Sequence, residues 1–140
     1  MTRIFISVAA ILGGISVAAG AFASHALKEK LSLLKKAAGA ATSVPLSERA
    51  LEIFETAARY QMYHALALLL VAVLLMRAES PQPTLIVTGW LFIVGVVIFS
   101  GSLYALSLTG IKLLGAITPL GGVALIAGWG ALAIAAWKFK

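Results

Sequence analysis

The sequence predicts an all-α integral membrane protein, with four transmembrane helices in a compact bundle and one amphipathic interfacial helix between spans 1 and 2. Three observations lead there. Hydrophobic residues make up 61% of the chain and charged residues 11%, against about 25% charged in a soluble domain, and the mean hydropathy is +1.04. Apolar stretches recur at about 4–26, 60–76, 84–106 and 116–137, separated by polar or proline-containing breaks. None of them has the period-two alternation of a membrane barrel. With 140 residues the chain holds a single domain, 1–140, and has no length for a sizeable soluble core beside the spans.

Span 1 is apolar apart from Ser16, Ser24 and His25. A signal peptide ending at Ala21-Phe22-Ala23 is the rival reading, and the length of the polar-free run argues against it. Ser16, Gly20 and Ser24 recur at four-residue spacing, as do Ala10, Gly14 and Ala18, which lets another helix backbone come close. Residues 27–46 form the long loop, with Lys28, Lys30, Lys35 and Lys36 at its start. Ser47 then caps a new helix, and Glu48 lies in its first turn, where the helix dipole favours a carboxylate. Glu48, Glu52, Glu55 and Arg59 fall on one face and Leu51, Phe54, Ala58 and Met62 on another. This pattern predicts an interfacial helix over 47–59, set at an angle to the span that follows, with Glu55 and Arg59 in favourable i,i+4 order.

Span 2 contains an unbroken apolar run from Ala65 to Met76, shorter than the about 20 residues that cross a hydrocarbon core. Tyr60–His64 is therefore drawn towards the membrane, and an ionisable residue near the bilayer boundary needs partners. Arg77-Ala-Glu-Ser-Pro-Gln-Pro is a hairpin with two helix breakers. Span 3 follows, with Trp90 near its entry and Tyr104 near its exit, and 108–115 connects it to span 4. There Thr118 is a natural cap, Pro119 fits a first turn, and Trp-Lys-Phe-Lys at 137–140 is an interfacial anchor.

Four spans put Arg3, Arg77, Lys138 and Lys140 on one side and Lys28, Lys30, Lys35, Lys36, Arg49, Arg59 and Lys112 on the other. The excess places the long loop in the cytoplasm and both termini opposite. The net charge of +6 is scattered rather than gathered into a stripe, so membrane lipids are the expected partners and nucleic acid is not. The small-residue faces also suit a homo-oligomer or a larger membrane complex.

Chain direction gathers the polar residues. His25, Tyr60, Gln61, Tyr63, His64, Ser100, Ser102, Tyr104 and Thr118 all fall towards the long-loop side, while the opposite half of each span is almost wholly apolar. In lipid such groups must be satisfied within the protein, so they are expected to face one another, with His64 at the centre. Gly20, Gly101, Gly121, Gly122 and Gly128 are packing positions. The cluster reads as interhelical glue or as a lipid or small-amphiphile site. The two histidines leave open a proton-linked transporter or channel, acting as an oligomer, and, less favoured, a haem held between them. Chemistry of other kinds lacks its residues. The chain has no Cys and no Asp, hence no disulfide, thiolate site or Ser-His-Asp triad, and no phosphate loop or zinc pattern occurs. No catalytic residue, metal or cofactor is expected.

Gly20-Ala-Phe-Ala-Ser-His-Ala-Leu, Phe54-Glu-Thr-Ala-Ala-Arg-Tyr-Gln-Met-Tyr-His-Ala-Leu-Ala-Leu, Phe99-Ser-Gly-Ser-Leu-Tyr-Ala-Leu and Ile117-Thr-Pro-Leu-Gly-Gly together resemble the YgdD/YwdK-type small membrane protein family, a domain of unknown function numbered 423. The four motifs keep the family order along nearly the whole chain. Ala23 stands where such families place Gly, and Lys35–Val44 resembles an insertion. The resemblance implies four membrane helices in an inner or energy-transducing membrane, and brings no established activity. The expected function is thus a non-catalytic accessory subunit or a lipid/amphiphile-binding module.

Overall fold

A computed structural model describes residues 1–29, 32–33 and 44–137. Most of the long loop, the side chain of Ser47 and the end of the anchor after Trp137 lie outside the described residues. Four helices follow in chain order: α1 (Thr2–Phe22), which runs on into a wider π-turn at Ala23–Leu27, α2 (Val44–Arg77), α3 (Pro83–Thr109) and α4 (Lys112–Trp137). Each, α1 together with the π-turn that continues it, provides a stretch of 24 to 30 residues long and apolar enough to cross a membrane. The protein is a four-span membrane protein.

Helix ends follow local chemistry. Pro83 opens α3 in its first turn, where its missing N–H costs nothing. Gly110 closes it in the left-handed conformation (φ 72°), and its N–H donates to the Leu106 carbonyl. The α3–α4 turn is consequently only Gly110-Ile111, much shorter than the connection expected from the sequence. Because α4 begins at Lys112, Pro119 lies inside the helix and Thr118 is not its cap. The Thr118 hydroxyl instead donates back to Leu114 O, and Pro119 deprives the Gly115 carbonyl of its usual helical donor.

The segment 47–59 is helical, and its Phe54 is turned inward against Phe22 and Tyr104. It is not a separate element, however. Val44–Arg77 is one unbroken helix, because the sequence holds neither Gly nor Pro between Leu46 and Ser80 and because Ala57 and Ala58 are buried at the expected hinge. The amphipathic segment is the first turns of the spanning helix itself.

α2 and α3 form the central pair. α1 packs along α2 and reaches α3 where Phe5 meets Gly89 and Trp90, while α4 packs along α3 and reaches α2 where Trp129 meets His64. One apolar core joins all four helices through Phe5 and Ala9, Leu68 and Val71, Leu85 and Phe92, and Leu125 and Leu132. It occupies the half of the bundle nearer the chain termini. Lipid tails are as apolar as leucine, so this half is held by close packing rather than by exclusion of water. Large side chains therefore sit over glycines: Phe5 over Gly89, Phe92 over Gly128, and the main chain of Phe99 over Gly121.

Candidate functional site

In the other half, towards the long loop, polar side chains tie the helices together. Ser16 of α1 donates to the carbonyl of Ala58 at 2.7 Å, and Gln61 of α2 returns a bond to Leu12 O at 2.7 Å. Ser100 of α3 donates to Ala57 O at 3.0 Å, so adjacent carbonyls of α2 receive bonds from both neighbours. Ser102 and Thr118 share a hydrogen bond of 2.8 Å between α3 and α4. These are buried groups satisfied inside the protein, as a surrounding of hydrocarbon requires.

His64 lies near the middle of the long helix rather than at the membrane boundary, because α2 extends so far beyond the short apolar run. Its ring is buried and enclosed by Tyr60, Phe92 and Trp129. The Trp129 indole N–H donates to His64 Nε2 at 3.1 Å, and His64 Nδ1 lies 2.8 Å from Tyr60 O. A carbonyl only accepts and an indole N–H only donates, so the hydrogen sits on Nδ1 and the imidazole is neutral. Both ring nitrogens are engaged. His25 lies exposed in the π-turn and shares none of these contacts, so the two histidines do not offer facing ligands to a haem in this arrangement.

The remaining sequence candidates are dispersed. Tyr60 is exposed on its outer side and its ring lies beside Phe99, while Tyr63 and Gly20 line a shallow groove between α1 and α2 with Ser16, Glu55 and Arg59. Tyr104 packs edge-on against Phe54, and its hydroxyl is buried with no hydrogen-bond partner among the described residues. Gly101 faces open space, and Gly122 makes only ordinary contact with the Phe99 ring. Glu55 pairs with Lys28, just after the π-turn, at 3.3 Å, not with Arg59, whose guanidinium reaches Thr56 Oγ1.

The larger cavity lies elsewhere, at the loop-side end between the first turns of α2 and the α3–α4 turn. Its volume is about 510 Å³, within the range of about 300–1,000 Å³ typical of small-molecule sites. Arg49 and Lys112 contribute charged lining, Ala50, Ile53 and Leu106 supply apolar wall, and Ser107, Gly110 and Gly115 also line it. Arg49 and Lys112 were legible in the sequence only as topology charges. The signal that singles them out is that each lies in the opening turns of its helix on the same membrane side, and the fold brings those turns to one cavity.

Comparison with known proteins gives a consistent result. A family model described as "Protein of unknown function (DUF423)" matches residues 19–122. A UPF0382 membrane protein of Staphylococcus haemolyticus is 40% identical over 137 residues, covering 98% of this chain and 98% of that protein. The UPF0382 membrane protein YwdK of Bacillus subtilis is likewise 40% identical over 137 residues at the same coverage of both chains. A Staphylococcus aureus relative of the same description is 41% identical over 137 residues, again with 98% of each chain covered. No solved structure matches the chain.

Proposed function

This chain belongs to the family of unknown function DUF423, and from that premise we propose that it is a non-catalytic membrane component that binds an amphiphile at the long-loop end of its bundle. The observation that carries this reading is the cavity of about 510 Å³ beside Arg49 and Lys112, where charged lining and apolar wall meet as they do in an amphiphile. Its level in the membrane agrees. Counting about 20 residues back from Arg77 and from Trp137 brings the hydrocarbon boundary near Ala57 and Thr118, and a rise of about 1.5 Å per residue sets Arg49 and Lys112 about 9–12 Å beyond it. That is the headgroup layer. Membrane lipids are the natural occupants, and the protein works there alone, as a homo-oligomer or as an accessory subunit of a larger complex in an inner or energy-transducing membrane. The basic loop side faces the cytoplasm.

A proton-linked transporter or channel is the second reading, favoured by one observation, the ionisable His64 at mid-helix. Its two ring bonds make it a tie between α2 and α4 and give it less weight than the cavity. The test is retention. Protein purified in mild detergent is analysed by native mass spectrometry for bound amphiphile, with Ala50→Trp filling the cavity. Wild type retains amphiphile and Ala50→Trp loses it. Equal retention by both, or none by wild type, refutes the proposal.

A further inference from the structure

We infer that the loop-side cavity is specific for an anionic phosphate headgroup, and that its occupant is an anionic glycerophospholipid; this rests on the amphiphile reading above and names the ligand class. Arg49 comes from α2 and Lys112 from the first turn of α4, and they line one cavity. Among the described residues no carboxylate lines it. Neither cation forms a salt bridge among the described residues, whereas Lys28 pairs with Glu55.

The rest of the chain has little with which to neutralise the pair. It contains five acidic residues: Glu29, Glu48, Glu52, Glu55 and Glu79. Glu55 is taken by Lys28, and Glu79 belongs to the α2–α3 hairpin at the opposite end. Glu52, one turn from Arg49, is exposed and forms no ion pair with it. Residues 30–47, whatever their arrangement, contain no Asp or Glu. Two cations at headgroup depth that form no salt bridge among the described residues call for an external anion, and a guanidinium and an ammonium lining one cavity suit phosphate oxygens.

The wall decides between kinds of phosphate. Ile53 and Leu106 add apolar lining on the membrane side of Arg49 and Lys112, which leaves a place for the glycerol backbone and upper acyl chain that a free phosphate does not use. A zwitterionic lipid brings its own cation, and the described lining of the cavity has no carboxylate to receive it. The charge pattern therefore selects the anionic lipid over its zwitterionic counterpart with the same chains.

The full chain in mild detergent is titrated with dioleoyl phosphatidylglycerol, with dioleoyl phosphatidylcholine, and with inorganic phosphate as a competitor, bound lipid being counted by native mass spectrometry. Expected is a preference of about tenfold or more for phosphatidylglycerol, roughly one interaction of the charge-assisted class. That preference is lost in the Arg49→Gln/Lys112→Gln double variant, kept in the charge-conserving R49K/K112R, and kept in Arg59→Gln, a cation outside this cavity. R49K/K112R also guards against misfolding, since it perturbs the same positions without removing charge. Equal binding of the two lipids overturns the anionic class and leaves the amphiphile reading standing. Retention of neither lipid overturns both. Displacement of phosphatidylglycerol by millimolar inorganic phosphate overturns the lipid assignment in favour of a soluble phosphate ligand.

Discussion

Gly121 and Gly122 are neighbours in α4, yet alanine at the two positions is expected to give opposite results. A methyl group on Gly121 falls onto the main chain of Phe99, 2.8 Å from its Cα and closer still to its amide nitrogen. On Gly122 it meets only the Phe99 ring, at 3.8 Å. Carbon atoms settle at about 3.5–4.0 Å, so Gly121→Ala forces α3 and α4 apart by about 0.7 Å or more. The obstacle is backbone, held by its own helix, and cannot turn aside as a side chain does. Overpacking of this kind costs about 1–3 kcal/mol, and the better helix propensity of alanine offsets about 1 kcal/mol at most. The net loss for Gly121→Ala is about 1–2 kcal/mol, near a tenfold change in the folding equilibrium, while Gly122→Ala is neutral or slightly stabilising. Titration of detergent-solubilised protein with dodecyl sulfate measures this, followed by tryptophan fluorescence because Trp129 packs against His64 and Phe92. Gly122→Ala destabilised as much as Gly121→Ala, or neither variant affected, would refute the close α3–α4 contact.

Trp129→Phe keeps an aromatic ring against Phe92 but leaves His64 Nε2 unpaired, so a loss of about 1–3 kcal/mol is expected in the same titration; an unchanged midpoint contradicts the tie. His64→Leu is expected to destabilise the bundle more than Thr84→Leu, since Thr84 is half-buried at the start of α3; equal effects would show that His64 has no special role in holding the bundle. A double-mutant cycle on Ser102→Ala and Thr118→Ala should give a coupling of about 0.6 kcal/mol, the usual size for such bonds in membranes, and additivity would remove the bond from the account. Thr109→Cys, the sole thiol in a chain without Cys, should resist an impermeant maleimide in intact cells if the loop side is cytoplasmic, and ready labelling reverses the topology.

Most of the fold was legible in the sequence because hydrocarbon is a simple solvent. A run of apolar residues long enough to cross it must be helical, since only a helix satisfies its own backbone there, and alternate spans must reverse direction. Those two constraints gave the four spans and the gathering of Gln61, His64, Ser100, Ser102 and Thr118 towards one end. The same reasoning misjudged where helices begin. Polar residues such as Glu52 and Lys112 look like boundaries by hydropathy, but a helix stops only at a breaker or an unsatisfied end, and α2 and α4 meet neither until well outside the apolar core. His64 consequently moved from boundary to mid-helix, and the interfacial helix merged with its span.

The sequence by itself determined composition, span number, chain direction and the residue types available: no Asp, no Cys, two His, and cations concentrated on one side. Tertiary structure alone decided the pairings, because helical periodicity fixes which residues share a face but not how far one helix is rotated or shifted against the next. It gave His64 to Trp129, which lies outside the polar cluster read from the sequence, and Glu55 to Lys28 rather than to Arg59. It set Gly121 against backbone and Gly122 against a ring edge. It also brought Arg49 and Lys112, 63 positions apart in a chain of 140, into the lining of one cavity, beside the turn closed by the left-handed Gly110.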